Sequence, residues 1–214
     1  MSNDDRERSI SIPSRSWQVR NRGEARMIHE WRTYRLKPGA ANAYLTLLAD
    51  EGLPLVTRHL PLMGYWLAET GCLNTIHHLW TYTDWGERES SRAGLAQEEA
   101  WTAGFIPKAF ALVEEQENRF LQLRRSSPRF DAALARRHEV LSARSAGAPI
   151  FAGPCACLLV GAPHEAAVAE WLPVSGTATG QVTLLGRTED PVPTAPLADG
   201  VNQIILRPLA FSPL

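Results

Sequence analysis

Between residues 27 and 123 the chain switches repeatedly between an alternation of period 2 and an apolar stripe of helical period. These two periods distinguish half-buried strands from amphipathic helices, so their succession restricts the fold more than any other feature. The pattern predicts strands and helices over residues 27–36 (strand), 40–51 (helix), 62–70 and 75–83 (a strand hairpin), 84–97 and 98–113 (helices) and 114–123 (strand). The resulting order βαββαβ is the ferredoxin-like split βαβ motif of an α+β protein.

Local signals support these boundaries. Pro38-Gly39 ends the first strand, and Gly52 with Pro54 interrupts the first helix, after which a short turn resumes as far as His59. Asp84 is a plausible N-cap, and Glu87 follows at the third helical position, which completes a capping box.

The remaining chain reads as a smaller second α+β half. We assign residues 1–26 to a flexible arm, 27–124 to the ferredoxin-like domain, 125–150 to a basic helical linker and 151–214 to the second half. In that half the pattern predicts strands over 155–161, 181–188 and 202–211 and a helix over 164–172. Whether it is a degenerate copy of the first half is left open.

Composition excludes several classes of function. Twenty-two Lys and Arg against 23 Asp and Glu leave no basic footprint for nucleic acid, and no apolar run approaches the length of a membrane span. Three cysteines are few, and an odd number cannot all pair, so a disulfide framework is not expected. This favours a reducing, cytoplasmic location. The arm at 1–26 is polar and arginine-rich, so we expect it to be dispensable for folding.

Several short motifs appear in a characteristic order over residues 27–123. They are Glu30, Arg32 and Tyr34 alternating on the first strand, then Lys37-Pro38-Gly39, Gly64-Tyr65-Trp66, Asn74, and His78-Leu79-Trp80. In this order they resemble the NIPSNAP domain. The resemblance implies a dimeric α/β-barrel, in which two four-stranded sheets pack face to face with helices outside, and therefore a homodimer. It implies a fold more firmly than a reaction.

Period-2 alternation also predicts which side chains share a face of the sheet, and this identifies the candidate site residues. In a ferredoxin-like sheet the first and third strands are neighbours, so polar and aromatic side chains on matching faces can converge. The predicted ligand-binding set is Glu30, Arg32, Tyr34, Trp66, Asn74, His78, Trp80, Arg88 and Arg92. A face that mixes such groups looks like a pocket lining, because burying them without partners is costly.

Each candidate also has a structural interpretation. Glu30 and Arg32 can form a simple ion pair, and Trp66 and Trp80 can be core residues. His78 and His59 are the candidates for proton transfer, although His59 can equally interact with the end of a helix. Arg88 and Arg92 lie four apart on one helix face and would suit a carboxylate if they point to the pocket.

The functional hypotheses therefore come from different classes. The first is a small-molecule pocket between sheet and helices, with no reaction assigned. The alternatives are a non-enzymatic interaction module and, by fold analogy alone, a cofactor-independent or haem-type monooxygenase. No metal site or cofactor is predicted, and haem stays open.

Overall fold

A computed structural model describes residues 27–177 and 180–214. The predicted arm at 1–26 lies outside the described residues. Most of the first half follows the predicted order. Its elements are β1 (Ile28–Leu36), α1 (Ala41–Leu47), α2 (Leu53–Thr57), β2 (Leu62–Ala68), β3 (Thr75–Tyr82), α3 (Trp85–Ala96), α4 (Ile106–Phe110) and β4 (Val113–Ser126).

The first helix does not stop at Gly52. A π-helical turn, Leu48–Gly52, joins α1 to α2, and a second one, Ala100–Phe105, leads into α4. Gly52 allows the two helical segments to approach closely, since a Cβ there would lie 2.5 Å from the Phe105 ring. Asp84 caps α3 as predicted, accepting a hydrogen bond of 2.8 Å from the backbone of Glu87.

The segment 125–150 contains α5 (Pro128–Ala135), and the second half contains β5 (Cys155–Val160), β6 (Ala167–Ser175), β7 (Val182–Thr188) and β8 (Asn202–Pro208). The helix predicted over 164–172 is wrong, because most of it lies in strand β6. There Ala169 and Trp171 pack in the barrel interior, and pairing with β4 and β7 overrides local helix propensity.

The predicted linker helix is also too long. α5 ends at Ala135, and the following chain lies against the first helical segment instead of continuing as a helix. Leu141 N donates to Thr57 Oγ1 at 2.9 Å, and Arg144 N donates to Ala49 O at 2.8 Å. Tertiary hydrogen bonds thus replace the helical ones over this segment.

Within the described part of the chain, eight antiparallel strands close into one barrel in the order β1-β3-β2-β8-β5-β7-β6-β4. The first half contributes β4-β1-β3-β2 and the second contributes β6-β7-β5-β8. The seams are the β2–β8 pairing and the β4–β6 pairing. The homodimer was expected because a four-stranded sheet with helices on one face needs a second sheet over the other, and here strands of the same chain supply that second sheet. The homodimer therefore stays a prediction without its original physical reason.

Two hydrophobic cores result from the alternation of side chains. One fills the barrel and includes Trp31, Trp66, Trp171 and Phe130, each at most 1% exposed. The other lies between the outside of the first sheet and helices α1 to α4. On the second half a proline-containing loop contacts the outside of the sheet, where Pro191 O accepts hydrogen bonds from Gln203 Nε2 (3.0 Å) and Cys157 Sγ (3.5 Å).

Candidate functional site

The motif residues of β1, β2 and β3 divide between the two faces of the first sheet. Arg32 and His78 lie directly opposite each other in the β1–β3 register, and His78 pairs with Tyr65 on β2. These three side chains point toward the helices. Their sequence neighbours point the other way, so Trp31 and His77 lie inside the barrel.

A cavity of about 120 Å³ lies between this sheet face and the helices. The strands contribute polar and aromatic residues, and the helical segments contribute mainly apolar residues together with Tyr44 and Arg92. The lining residues are Arg32, Tyr34, Tyr44, Leu48, Val56, Leu60, Tyr65, His78, Trp80, Arg92, Leu95, Trp101, Phe105, Ile106 and Phe110. Its half-exposed members include Arg92 and Phe110, which places the opening beside them.

Aromatic rings hold the His78 imidazole in one orientation. Tyr65 stacks on it with ring centroids 4.8 Å apart, and Tyr34 meets it edge-on at the same distance. Trp80 Nε1 donates a hydrogen bond of 2.6 Å to His78 Nδ1. Because an indole nitrogen can only donate, His78 Nδ1 must be unprotonated, and the neutral ring carries its proton on Nε2.

His78 is therefore a fixed hydrogen-bond donor. Its Nε2 is buried, and no group within residues 27–177 and 180–214 accepts a hydrogen bond from it. Burial, followed by the nearby Arg32 guanidinium, holds the pKa of His78 well below its usual value, so the ring stays neutral. In this state it can donate to an oxygen atom but cannot take up a proton at Nδ1.

The Glu30 carboxylate lies beside the cavity in a charged cluster. It is fully buried and accepts two hydrogen bonds of 3.1 Å from Arg88 Nε and Nη2. Arg88 also stacks between Trp85 and Phe120, at 4.7 Å and 5.1 Å from the ring centroids. Arg32 and Arg92 approach Glu30 only to 3.8 Å and 3.9 Å. The tight partner of Glu30 is thus Arg88 on α3, and not Arg32 on its own strand.

Five predicted site residues line the cavity, namely Arg32, Tyr34, His78, Trp80 and Arg92. Trp66 does not. It lies inside the barrel and stacks on Trp31 with ring centroids 5.5 Å apart and planes 9° from parallel. The neighbouring Tyr65 takes the position at the cavity, because the register of β2 shifts between Leu62 and Gly64.

Asn74 stabilises a turn of the backbone and does not line the cavity. Its φ of 56° places it in the left-handed region, and its Oδ1 accepts a hydrogen bond of 3.3 Å from Gly39 N. Gly39 also has a positive φ, of 78°. The Lys37-Pro38-Gly39 motif and Asn74 therefore stabilise the same turn region.

His59 also lies away from the cavity lining. Its Nε2 contacts Glu98 Oε1 at 2.9 Å, and Arg58 Nη1 contacts the same oxygen at 2.6 Å. Both groups hold the pKa of the Glu98 carboxyl below its usual value, His59 most strongly. The contact with Glu98 therefore engages His59 Nε2 outside the cavity lining.

Sequence patterns did not identify Tyr44 and Tyr65 as site residues. Tyr65 Oη donates to Tyr44 Oη at 3.5 Å, and burial raises the pKa of both phenols. Tyr44 lies on the predicted apolar stripe of the first helix, which was its only signal. No cluster of three or more metal-ligating side chains, and no helix long and apolar enough to cross a membrane, occurs among the described residues.

We predict that the folded protein loses stability in acid, because the neighbouring histidines His77 and His78 are buried in their neutral form. Burial, with Arg119 second, lowers the pKa of His77 to about 3, and His78 is also depressed. Their unfolded values lie near ~6.5, so below that pH the unfolded chain binds more protons. Stability present above about pH 6.5 should be lost toward pH 3, by up to ~1.4 kcal/mol per pH unit for each histidine.

Urea unfolding of the wild type and His77→Gln at several pH values measures this effect. We expect a flatter profile for the variant than for the wild type. Equal slopes for the wild type and His77→Gln would show that His77 does not cause the acid sensitivity.

The fold and the cavity define a class of protein. It is a mixed α/β protein in which a closed antiparallel barrel carries helices over one sheet, with a cavity between them.

Comparison with known proteins identifies the family. A model described as NIPSNAP matches residues 29–128. Protein NipSnap homolog 3A of Homo sapiens is 34% identical over 98 residues, which are 45% of this chain and 39% of that protein. A NIPSNAP family protein of unknown function from Agrobacterium tumefaciens is 40% identical, with a TM-score of 0.46, over 49% of this chain and 94% of that one. The chain belongs to the NIPSNAP family.

The match spans about two fifths of the length of the curated relative. A proposed monooxygenase from Lactobacillus acidophilus aligns with 87% of this chain and 97% of that one, but at 7% identity and a TM-score of 0.49. That likeness carries no argument about a reaction.

Proposed function

We propose that this chain binds a small, mainly apolar molecule with a hydrogen-bond acceptor in the cavity between its first sheet and helices α1 to α4. The observation that carries the proposal is the buried Nε2–H of His78, a residue that lines the cavity, for which no acceptor exists among the described residues. A buried donor left unsatisfied costs about 1–3 kcal/mol. An acceptor atom on a bound molecule would remove that cost.

The size of the cavity limits the ligand. An engineered apolar cavity of roughly 150 Å³ holds one benzene molecule. The cavity here, at about 120 Å³, is somewhat smaller and suits at most a body of one ring or a short branched chain. Haem, with four pyrrole rings, is far too large, and His78 Nε2 already carries a proton. We therefore derive no step through haem.

The same geometry indicates what the site could do chemically. A neutral imidazole held by Trp80, Tyr34 and Tyr65 is a preorganised donor for an oxygen atom that carries or develops negative charge. It would position or polarise a carbonyl or carboxylate group. The proposed role of His78 is thus hydrogen-bond donation, in place of the proton transfer considered from the sequence.

Two substitutions at His78 separate its two nitrogens. In His78→Asn the amide oxygen can still accept from Trp80 Nε1, but the donor at the Nε2 position is gone. In His78→Gln an amide can reach the Nε2 position, but Trp80 loses its acceptor. We expect His78→Asn to lose binding with little change in stability, and His78→Gln to retain more binding at a cost of about 1–3 kcal/mol.

Native mass spectrometry of the purified protein detects a retained ligand, and calorimetric titration with one-ring probes that carry an oxygen acceptor measures binding. Thermal melts report stability. If no probe binds at millimolar concentration and no ligand mass is retained, the binding function is wrong.

A homodimeric interaction module is the second candidate function. A groove of about 410 Å³ beside Trp85, Phe120 and Val174 favours it, because Trp85 is 52% and Val174 61% exposed. Light scattering at micromolar concentration tests it. A monomer there, unchanged by Trp85→Ser, would exclude a dimer through this groove.

A further inference from the structure

We propose that the ligand is a small aromatic monocarboxylate whose carboxylate is bound by Arg32 and Arg92. This inference rests on the proposed binding function and names the class of ligand.

Counted over residues 27–177 and 180–214, the charged cluster beside the cavity has one cation in excess. Its salt bridges join three guanidinium groups, those of Arg32, Arg88 and Arg92, to the two carboxylates of Glu30 and Glu89. Arg88 makes the close contacts, at 3.1 Å to Glu30 and 2.9 Å to Glu89. The charge of Glu30 is therefore largely compensated by a residue that does not line the cavity.

Arg32 and Arg92 are the cations that do line it. Both stand beyond hydrogen-bonding distance of Glu30, at 3.8 Å and 3.9 Å. Arg32 Nε is buried and has no hydrogen-bond partner in the part of the chain that the structure describes, and the Arg32 side chain is only 15% exposed. A planar guanidinium in this state matches the two oxygens of a carboxylate.

His78 adds a neutral donor next to this cation. Arg32 and His78 are direct partners in the β1–β3 register, which places their Cβ atoms roughly 4.5–5.5 Å apart. A single carboxylate can therefore accept from both. The donor set consists of one nearly buried guanidinium, one half-exposed guanidinium and one imidazole N–H, which suits a single negative charge better than a phosphate dianion.

The remaining walls favour a flat ring. Tyr34, Tyr65, Trp80, Trp101 and Phe105 present aromatic surfaces, and Trp101 stacks on Phe105 with ring centroids 4.6 Å apart. Aromatic side chains contact planar ligands well through offset and edge-on packing. A benzene ring bearing one carboxylate combines this shape with the charge that Arg32 and Arg92 leave open.

Calorimetric titration with three probes tests the ligand class. Benzoate carries the charge on a flat ring, benzamide has the same shape without the charge, and cyclohexanecarboxylate has the charge without the flat ring. We expect benzoate to bind at least about tenfold more tightly than benzamide, since a charge-assisted hydrogen bond is roughly twice as strong as a neutral one. Cyclohexanecarboxylate should also bind more weakly than benzoate.

Variants assign the charge preference to residues. Arg32→Gln should abolish the preference for benzoate over benzamide, and Arg92→Gln, at a side chain 38% exposed, should reduce it without affecting the fold. Arg35→Gln is the matched control, because Arg35 lies on the same strand but pairs with Glu114 and Glu115 away from the cavity. The control should keep the full preference.

The outcomes separate the two proposals. If benzoate and benzamide bind equally, or the preference survives in both Arg32→Gln and Arg92→Gln, the carboxylate assignment is wrong while the binding function stands. If cyclohexanecarboxylate matches benzoate, the aromatic assignment is wrong. If none of the three binds and no ligand mass is retained, both proposals are wrong.

Discussion

Replacing Glu30 with Gln should destabilise the protein by about 3–5 kcal/mol, the largest effect of any single substitution considered. Glu30 is fully buried and is the acceptor for two hydrogen bonds from Arg88. Removing its charge leaves the Arg88 guanidinium, only 11% exposed, without that counter-ion, with Arg32 and Arg92 close by. The repulsion and the lost solvation both act against the folded state.

A double-mutant cycle measures the pair itself. Glu30→Gln/Arg88→Met removes both charges, so much of the lost stability should return in urea unfolding. Glu89→Gln is the control, because Glu89 contacts the same guanidinium from a position 58% exposed, where ion pairs contribute ~1 kcal/mol or less. A double variant no more stable than Glu30→Gln would show that the unpaired Arg88 is not the cause.

Gly64→Ala should cost about 1–3 kcal/mol or more, because the position has no room for a methyl group. A Cβ at Gly64 would lie 2.0 Å from the six-membered ring of Trp66. That ring cannot move away easily, since Trp66 is fully buried and stacked on Trp31. The glycine is required by this close approach, and not by a positive φ.

Gly104→Ala is the matched control for this substitution. Gly104 lies in a helical segment, and nothing lies within 4 Å of the Cβ that alanine would add. We expect it to leave stability unchanged or to raise it by about 0.4–1 kcal/mol, because alanine restricts the unfolded chain. Thermal or urea unfolding compares the two variants, and Gly64→Ala/Trp66→Leu should regain stability relative to Gly64→Ala. Equal stability of the two single variants would contradict the packing argument.

The Gly64-Tyr65-Trp66 motif shows which features local sequence can predict and which it cannot. It identified a strand, and alternation separated Tyr65 from Trp66, but it could not say which of them faced the helices. That choice depends on pairing with β3, where Tyr65 meets His78 and a register shift follows Leu62. On β1 and β3 the alternation brought Arg32 and His78 together, because regular pairing preserves the parity of each strand.

The same patterns could not identify ion-pair partners that are distant in the sequence. The sequence offered Arg32 as the partner of Glu30 because the two are neighbours on one face of a strand. The structure pairs Glu30 with Arg88, which is 58 residues away in the chain. Only the docking of α3 against the sheet brings that guanidinium to the carboxylate.

The sequence by itself predicted most of the helices and strands of the first half and the Asp84 cap, and its nine candidate ligand-binding residues included five that line the cavity. These depend on periodicity and on contacts between near neighbours. The tertiary structure decided that β6 is a strand, that the barrel closes through β2–β8 and β4–β6, and that Trp66 and Asn74 lie away from the cavity. Such outcomes depend on pairing between distant segments, whose energy is not encoded in any short stretch of chain.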